Sequence, residues 1–193
     1  MRKLLAVTIA LAALLAVPSA SAWRAFGAHW SGRTITYHND APGYTWSLRQ
    51  AIRAWNTSGV GIRFVAVPRN RARLLIGERI QHDAFGDRLG LAHVVGRRDT
   101  LVRGEISIKD RLDGYVGAVV YAHELGHVLG LAHEDRGCAA MNSDLNGDHP
   151  FRCPAPPAGM WWCRLLTADD VRGAIHIYGG TYLRPTGPQF CAE

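Results

Sequence analysis

His123 and His127 stand four residues apart in an apolar stretch without proline, and His133 follows three residues beyond Gly130. No other feature restricts the chain so tightly. Residues four apart share one face of an α-helix, so a helix here aims two imidazoles at one point. Gly130 tolerates the positive φ that lets a chain leave a helix sharply, and His133 can then swing back as a third imidazole. Three neutral imidazoles with a fourth position open is the pattern of a catalytic zinc site, since structural sites close all four positions. Glu124, one residue further round, is placed to reach a metal-bound water rather than to ligate. From ordinary residue usage, five such fixed positions arise by chance in roughly one in a hundred thousand chains of this size. Three histidines on a buried helix and its turn without a metal would leave polar groups short of partners. The expected cofactor is therefore zinc, with Glu124 taking the proton of the zinc-bound water and delivering it to a leaving amine.

The rest of the chain reads as one mixed α/β domain followed by that helix, a loop and a closing helix. With 193 residues, of which 48% are hydrophobic, a single core is expected and two large domains are excluded. Strands are expected at Thr34–Tyr37, Ile62–Val67, Arg73–Ile76, Leu89–Val95 and Glu105–Ile108. Leu48, Ile52 and Trp55 form one apolar stripe and predict a helix over Trp46–Ser58, with Thr45 as its N-cap. Gly117–Leu131 predicts the buried helix that carries His123 and His127. Thr167-Ala168-Asp169-Asp170 is a capping box for a last helix whose apolar face is Val171, Ala174, Ile175 and Tyr178. Arg69, Arg71 and Arg73 alternate as if on one solvated face of a strand.

The N-terminus reads as a targeting segment. Arg2 and Lys3 precede an apolar run over Leu4–Val17, and Ala20-Ser21-Ala22 has the small-x-small pattern of a cleavage site. Fourteen apolar residues are short for a membrane span, which needs roughly 20. Residues 1–22 are thus expected to be a cleaved signal peptide, leaving 23–193 as a single secreted domain with a short C-terminal tail. No stable membrane insertion is expected of so short a run, and no nucleic-acid partner, because the densest arginine cluster, Arg69 to Arg73, reads as a solvated strand face and a secreted protein rarely meets nucleic acid. Cys138, Cys153, Cys163 and Cys191 are read as two disulfides, with all three pairings open. Asp144-x-Asn146-Gly147-Asp148 resembles part of a calcium loop but lacks the closing glutamate, so a turn is expected and calcium is unsupported. His29, His38, His149 and His176 have no ligating spacing and are read as surface or packing residues.

The run from His123 to His133 resembles the H-E-x-x-H-x-x-G-x-x-H signature of the metzincin metallopeptidases. Cys138-Ala139-Ala140-Met141-Asn142 looks like the methionine turn beneath the metal in that family. Met141 follows His133 by eight residues, a gap similar to that of the matrixins, the group of the matrix metalloproteinases. Glu134 is instead similar to the astacins, whose methionine turn lies much further along. Leu166–Val171 and Ile177-Tyr178-Gly179 resemble the matrixin C-terminal helix. The resemblance covers most of residues 30 to 180. It implies an α+β zincin fold, with a twisted mixed β-sheet, an active-site helix and a C-terminal helix. It also implies a secreted zinc endopeptidase acting on protein or peptide as a monomer. His123, His127 and His133 would be the ligands, Glu124 the general base and Met141 the floor. The alternatives are a narrow-specificity cell-wall or signal-processing zinc hydrolase, or a zinc-containing binding protein without turnover.

The chain also departs from the matrixins. No cysteine precedes Cys138, so latency through a propeptide cysteine is not expected. Leu91-Ala92-His93 and His82-Asp83 resemble segments of the matrixin structural-zinc site. In the last such segment, Gly104-Glu105-Ile106-Ser107, Ser107 stands where histidine is expected, and a second zinc is not anticipated. In the family, the loop after the methionine turn walls the specificity pocket. Here it would be residues 142–164, where Trp161 and Trp162 could line the pocket.

Overall fold

A computed structural model describes residues 23–78, 88–109, 112, 114–143 and 165–183. Its main sheet is built from β2 (His29–Trp30), β3 (Thr34–Asn39), β4 (Arg63–Ala66), β5 (Leu74–Glu78), β6 (Gly90–Arg97) and β7 (Thr100–Ile108). The order across the sheet is β4, β3, β5, β7 and β6, with β2 beside the start of β7. Every pairing is parallel except β6 with β7. β6 is thus an antiparallel edge strand, and its outer side has no strand partner among the described residues. The mixed sheet and its helices give the α+β class.

Two helices cover one face of this sheet. Helix α1 (Thr45–Thr57) and helix α2 (Gly114–Val128) pack on each other, and their shared core includes Leu48, Trp55, Tyr121 and Leu125. Each buried indole needs an acceptor. Trp55 Nε1 donates to the Ala122 carbonyl at 3.0 Å, and Trp30 Nε1 donates to the Val128 carbonyl at 2.7 Å. These two bonds fix α2 against α1 and against the sheet. Helix α3 (Ala168–Tyr178) closes the domain. Its Thr167 capping box is present as the sequence predicts, and Gly179 ends it at φ 70°. Tyr178 anchors it, donating through its hydroxyl to the Leu129 carbonyl at 2.9 Å.

Several expectations are corrected. Thr45 is the first helical residue rather than the cap, and its hydroxyl donates back to the Pro42 carbonyl at 2.8 Å. A one-turn 3-10 helix from Pro42 to Tyr44 runs straight into α1, so the start of α1 needs no side-chain cap. Arg69–Arg71 is a single 3-10 turn, not strand. Pro68 cannot donate to a ladder, and the chain must turn here to pass from β4 across the end of β3 to β5. Arg69 pairs with Asp40, and the Arg73 guanidinium lies 4.7 Å from the Trp30 ring while donating to the Leu101 and Val102 carbonyls. The zinc-motif helix ends at Val128, three residues early, because Gly130 adopts φ 94°. Leu131–Ala132 is instead a short strand, β8, antiparallel to β1 (Arg24–Ala25). These two-residue strands are too short to show any periodicity in the sequence.

No helix among the described residues is long and apolar enough to cross a membrane. Cys138 is disulfide-bonded. Residues 1–22, the other three cysteines, His82-Asp83, the Asp144–Asp148 segment, His149, Trp161 and Trp162 lie outside the described residues.

Candidate metal centre

α2 presents His123 and His127 on one face, and the turn through Gly130 returns His133 toward them. The ring centroids are 4.5 Å apart for His123 and His127, 5.2 Å for His123 and His133, and 4.8 Å for His127 and His133. One nitrogen from each ring falls within 4.8 Å of the others, a set able to hold a metal ion. The other ring nitrogens are partly committed. His123 Nδ1 contacts the Ala140 carbonyl at 2.7 Å, and His127 Nδ1 contacts the Leu131 carbonyl at 2.8 Å. A carbonyl only accepts, so both Nδ1 atoms carry the proton and both Nε2 atoms keep a lone pair. Oriented donors of this kind are the usual support for imidazole ligands. His127 Nε2 and His133 Nε2 stand 3.2 Å apart. Burial pushes the His123 imidazole down to about 3, and the neighbouring His127 adds to the effect. Burial also lowers His127 and His133. All three are therefore neutral at ordinary pH, as divalent zinc requires. The donor set, its tautomers and its convergence fit zinc.

Glu124 lies beside this triad and is only 5% exposed. Burial pushes its carboxyl up to about 8, partly opposed by a hydrogen bond from the Ala92 backbone in β6. Space for it comes from Gly90. A Cβ there would stand 2.5 Å from Glu124 Oε1 and 2.8 Å from Val120. The carboxylate thus sits against the edge strand.

Met141 is buried at 2% exposure. Its sulfur packs so closely on Gly126 that a Cβ at that position would overlap it. The turn that carries it is fixed by Asp170, which the sequence shows only as a capping residue. Asp170 Oδ2 accepts from the Ala140 amide at 3.0 Å, and Oδ1 accepts from the Met141 amide at 3.2 Å. The same carboxylate accepts from the Thr167 amide and hydroxyl, both at 2.7 Å. A single side chain on α3 therefore clamps the turn whose Ala140 carbonyl orients His123. Asn142 adds a second brace. Its amide donates to the Glu134 and Gly137 carbonyls, and its oxygen accepts from the Ala139 amide. Glu134 is itself buried and accepts from the Arg136 amide. These supports cannot be read from spacing, because each joins segments that meet only in the fold.

A cleft of about 1360 Å³ runs past the triad along β6. Phe26 forms part of its other wall, with its ring 5.8 Å from that of His127. His93 also lines the cleft but lies outside the triad. Ser107 is buried opposite Leu91, and His93 faces Glu105. Among the described residues, His123, His127 and His133 are the one group of three able to hold a metal. His29 and His176 contact the rings of Tyr178 and Trp23, and His38 Nδ1 contacts the Val67 carbonyl. All three are surface or packing residues, as expected.

No family model matches the chain. Over 168 residues, 78% of this chain and 58% of the relative, it is 26% identical to matrilysin of Rattus norvegicus. Over 185 residues, 84% of this chain and 35% of the relative, it is 28% identical to matrix metalloproteinase-20 of Homo sapiens. A stretch of 69 residues, 36% of this chain and 11% of the relative, is 41% identical to stromelysin-3 of Rattus norvegicus. The chain thus spans only part of the length of these curated relatives, from 11% to 58%. Together with the helix-borne histidine triad and the α+β fold, these similarities support a likeness to the catalytic domain of the matrix metalloproteinases over most of the chain.

Proposed function

We propose that the chain is an exported zinc-dependent endopeptidase. In this reading His123, His127 and His133 hold zinc, Glu124 is the general base and Met141 forms the floor. The observation that carries it is a triad of neutral imidazoles beside a buried carboxylate, all facing one open cleft. Zinc, when bound, supplies Lewis-acid chemistry that acidifies water and polarises a carbonyl. The chain's own residues do the rest. The side of β6 without a strand partner among the described residues offers backbone donors and acceptors to an extended peptide, which would add to the sheet as a further strand. Glu124 reaches the cleft beside Gly90 and Ala92, so the scissile bond belongs there. Its burial raises its proton affinity, which suits a group that takes a proton from water and delivers it to the leaving amine. The Ala140 and Leu131 carbonyls hold two imidazoles in the tautomer that leaves Nε2 free. The same proposal includes removal of residues 1–22 on export and action as a monomer.

Casein cleavage by the purified protein, with and without a chelator, is the test. Cleavage that is lost with the chelator and regained on adding zinc is expected. Activity that persists after the metal has been shown to leave would refute the zinc reading. A folded, zinc-loaded protein that cleaves neither casein nor cell-wall peptides would favour binding without turnover.

A further inference from the structure

Side chains along a strand alternate between its two sides. The stretch of β6 and its flanks that lines the cleft runs from Arg88 to Arg98 and draws on both sides of the strand, Leu91 and His93 as well as Ala92 and Val94. None of the lining residues between these two arginines carries a fixed charge, and an arginine stands at each end. Both arginines are exposed, and neither has an ion-pair partner among the described residues. Apart from buried Glu124 they are the only fixed charges among the described residues lining the cleft.

Arg98 carries a second sign of purpose. It adopts φ 53°, the only non-glycine positive φ among the described residues. A side chain in that region is disfavoured, and glycine or asparagine is the usual occupant of such a turn. Backbone strain of this kind collects at ligand clamps, where the surroundings enforce it. They do so here. Arg98 and Asp99 form a two-residue turn closed by Arg97 opposite Thr100, and the Asp99 carbonyl accepts from the His29 amide at 2.9 Å. The wider setting favours the same ligand charge. The described residues together hold fifteen arginines and lysines against nine acidic residues, and a net positive field of this kind favours anions over cations.

We propose that Arg88 and Arg98 are specificity-determining anchors for carboxylates, so that the substrate class is an extended polypeptide with acidic residues on both sides of an uncharged scissile region. The proposal rests on the endopeptidase reading for the position of the scissile bond. With about 3.4 Å per residue, Arg88 lies about 14 Å and Arg98 about 20 Å along the strand from Ala92. The acidic residues therefore flank the bond at a distance rather than adjoin it.

The test uses two peptides of about ten residues, the length of β6 with its flanks. They share one uncharged centre and carry either Glu or Gln at both ends. With the zinc-loaded protein, kcat/KM is expected to be about tenfold higher for the Glu peptide. The difference should lie mainly in KM and shrink toward one at about 1 M salt, where screening acts over about 3 Å. Arg88→Gln and Arg98→Gln should each reduce the ratio, and the double variant should abolish it. Arg98→Gly should also lose part of the preference while melting no lower, because glycine relieves the positive φ. Equal kcat/KM for the two peptides, or an unchanged ratio in the double variant, would overturn the proposal. Binding of the same peptides to Glu124→Ala, followed by fluorescence anisotropy, separates the two readings. Tighter binding of the Glu peptide without turnover by the native protein would sink the endopeptidase reading and keep the anchors. Equal binding of both peptides would sink the anchors whatever the turnover.

Discussion

Glu124→Ala is expected to lower turnover by about 10²–10⁴-fold, the usual range for loss of a positioned general base, while zinc stays bound. The three imidazoles and their carbonyl supports do not involve this carboxylate, so metal analysis of the variant should match the native protein. Substantial turnover in a zinc-loaded Glu124→Ala would refute the base assignment. The same residue shapes the stability of the metal-free protein. Its carboxyl is pushed up to about 8 from 4.5 by burial. A raised carboxyl stabilises the fold fully below its unfolded value, and that contribution is lost as pH rises through the folded value. Between pH 6.5 and 8, above most of the range over which the imidazoles titrate, the metal-free protein should therefore weaken by about 2 kcal/mol through this group, since each tenfold gain in proton affinity on folding is worth about 1.4 kcal/mol. Glu124→Gln should remove that decline, as read from urea midpoints at the two pH values. An identical decline in the variant would assign it elsewhere. The acid limb should survive the substitution, because it belongs to His123. Burial holds that imidazole at about 3, so its contribution is lost as pH falls from its ordinary 6.5.

Asp170→Ala is expected to destabilise the domain by at least about 3 kcal/mol. The carboxylate is 1% exposed and accepts from the Ala140, Met141 and Thr167 amides and the Thr167 hydroxyl. Each buried donor left without a partner costs about 1–3 kcal/mol. In a domain of this size the melting temperature should fall by roughly 6–12 °C, at about 2–4 °C per kcal/mol. Zinc affinity should fall with it, because the Ala140 carbonyl that orients His123 sits in the released turn. Scanning calorimetry and a competition with a chromophoric chelator read the two effects. An unchanged melting temperature would refute the clamp. Asp170→Asn, which keeps the shape but turns a donor toward other donors, should fall between native and Ala.

The local features were legible in the sequence. The 3.6-residue period of Leu48, Ile52 and Trp55 placed α1, and all three are buried. The capping box at Thr167 placed the start of α3. The spacing of His123, His127 and His133 brought three imidazoles together, because helix geometry and one glycine dictate it. The hidden part is long-range. Asp170 looked like an ordinary N3 residue, since nothing in its neighbourhood reveals the turn it meets thirty residues earlier. The close approach of Gly90 to Glu124 joins segments far apart in the chain, which local spacing does not show. Arg69 and Arg71 misled because an alternating pattern also fits a turn that happens to be polar. β1 and β8 were invisible for want of length.

The pairing of β1 with β8 gives the proposed removal of residues 1–22 a structural consequence. Cleavage after Ala22 would leave Trp23 seated at Gly173 with its ring 4.6 Å from that of His176, and would leave Arg24 and Ala25 paired to Ala132 and Leu131. A cut three residues later would strip the backbone partners from the turn that delivers His133. It would also put a charged amino terminus at Phe26, whose amide donates to Gly130 at 2.8 Å. Under that proposal an accurate cut and a complete metal site become one requirement. A batch with ragged N-termini should contain two populations, one that retains zinc through dialysis and one that sheds it.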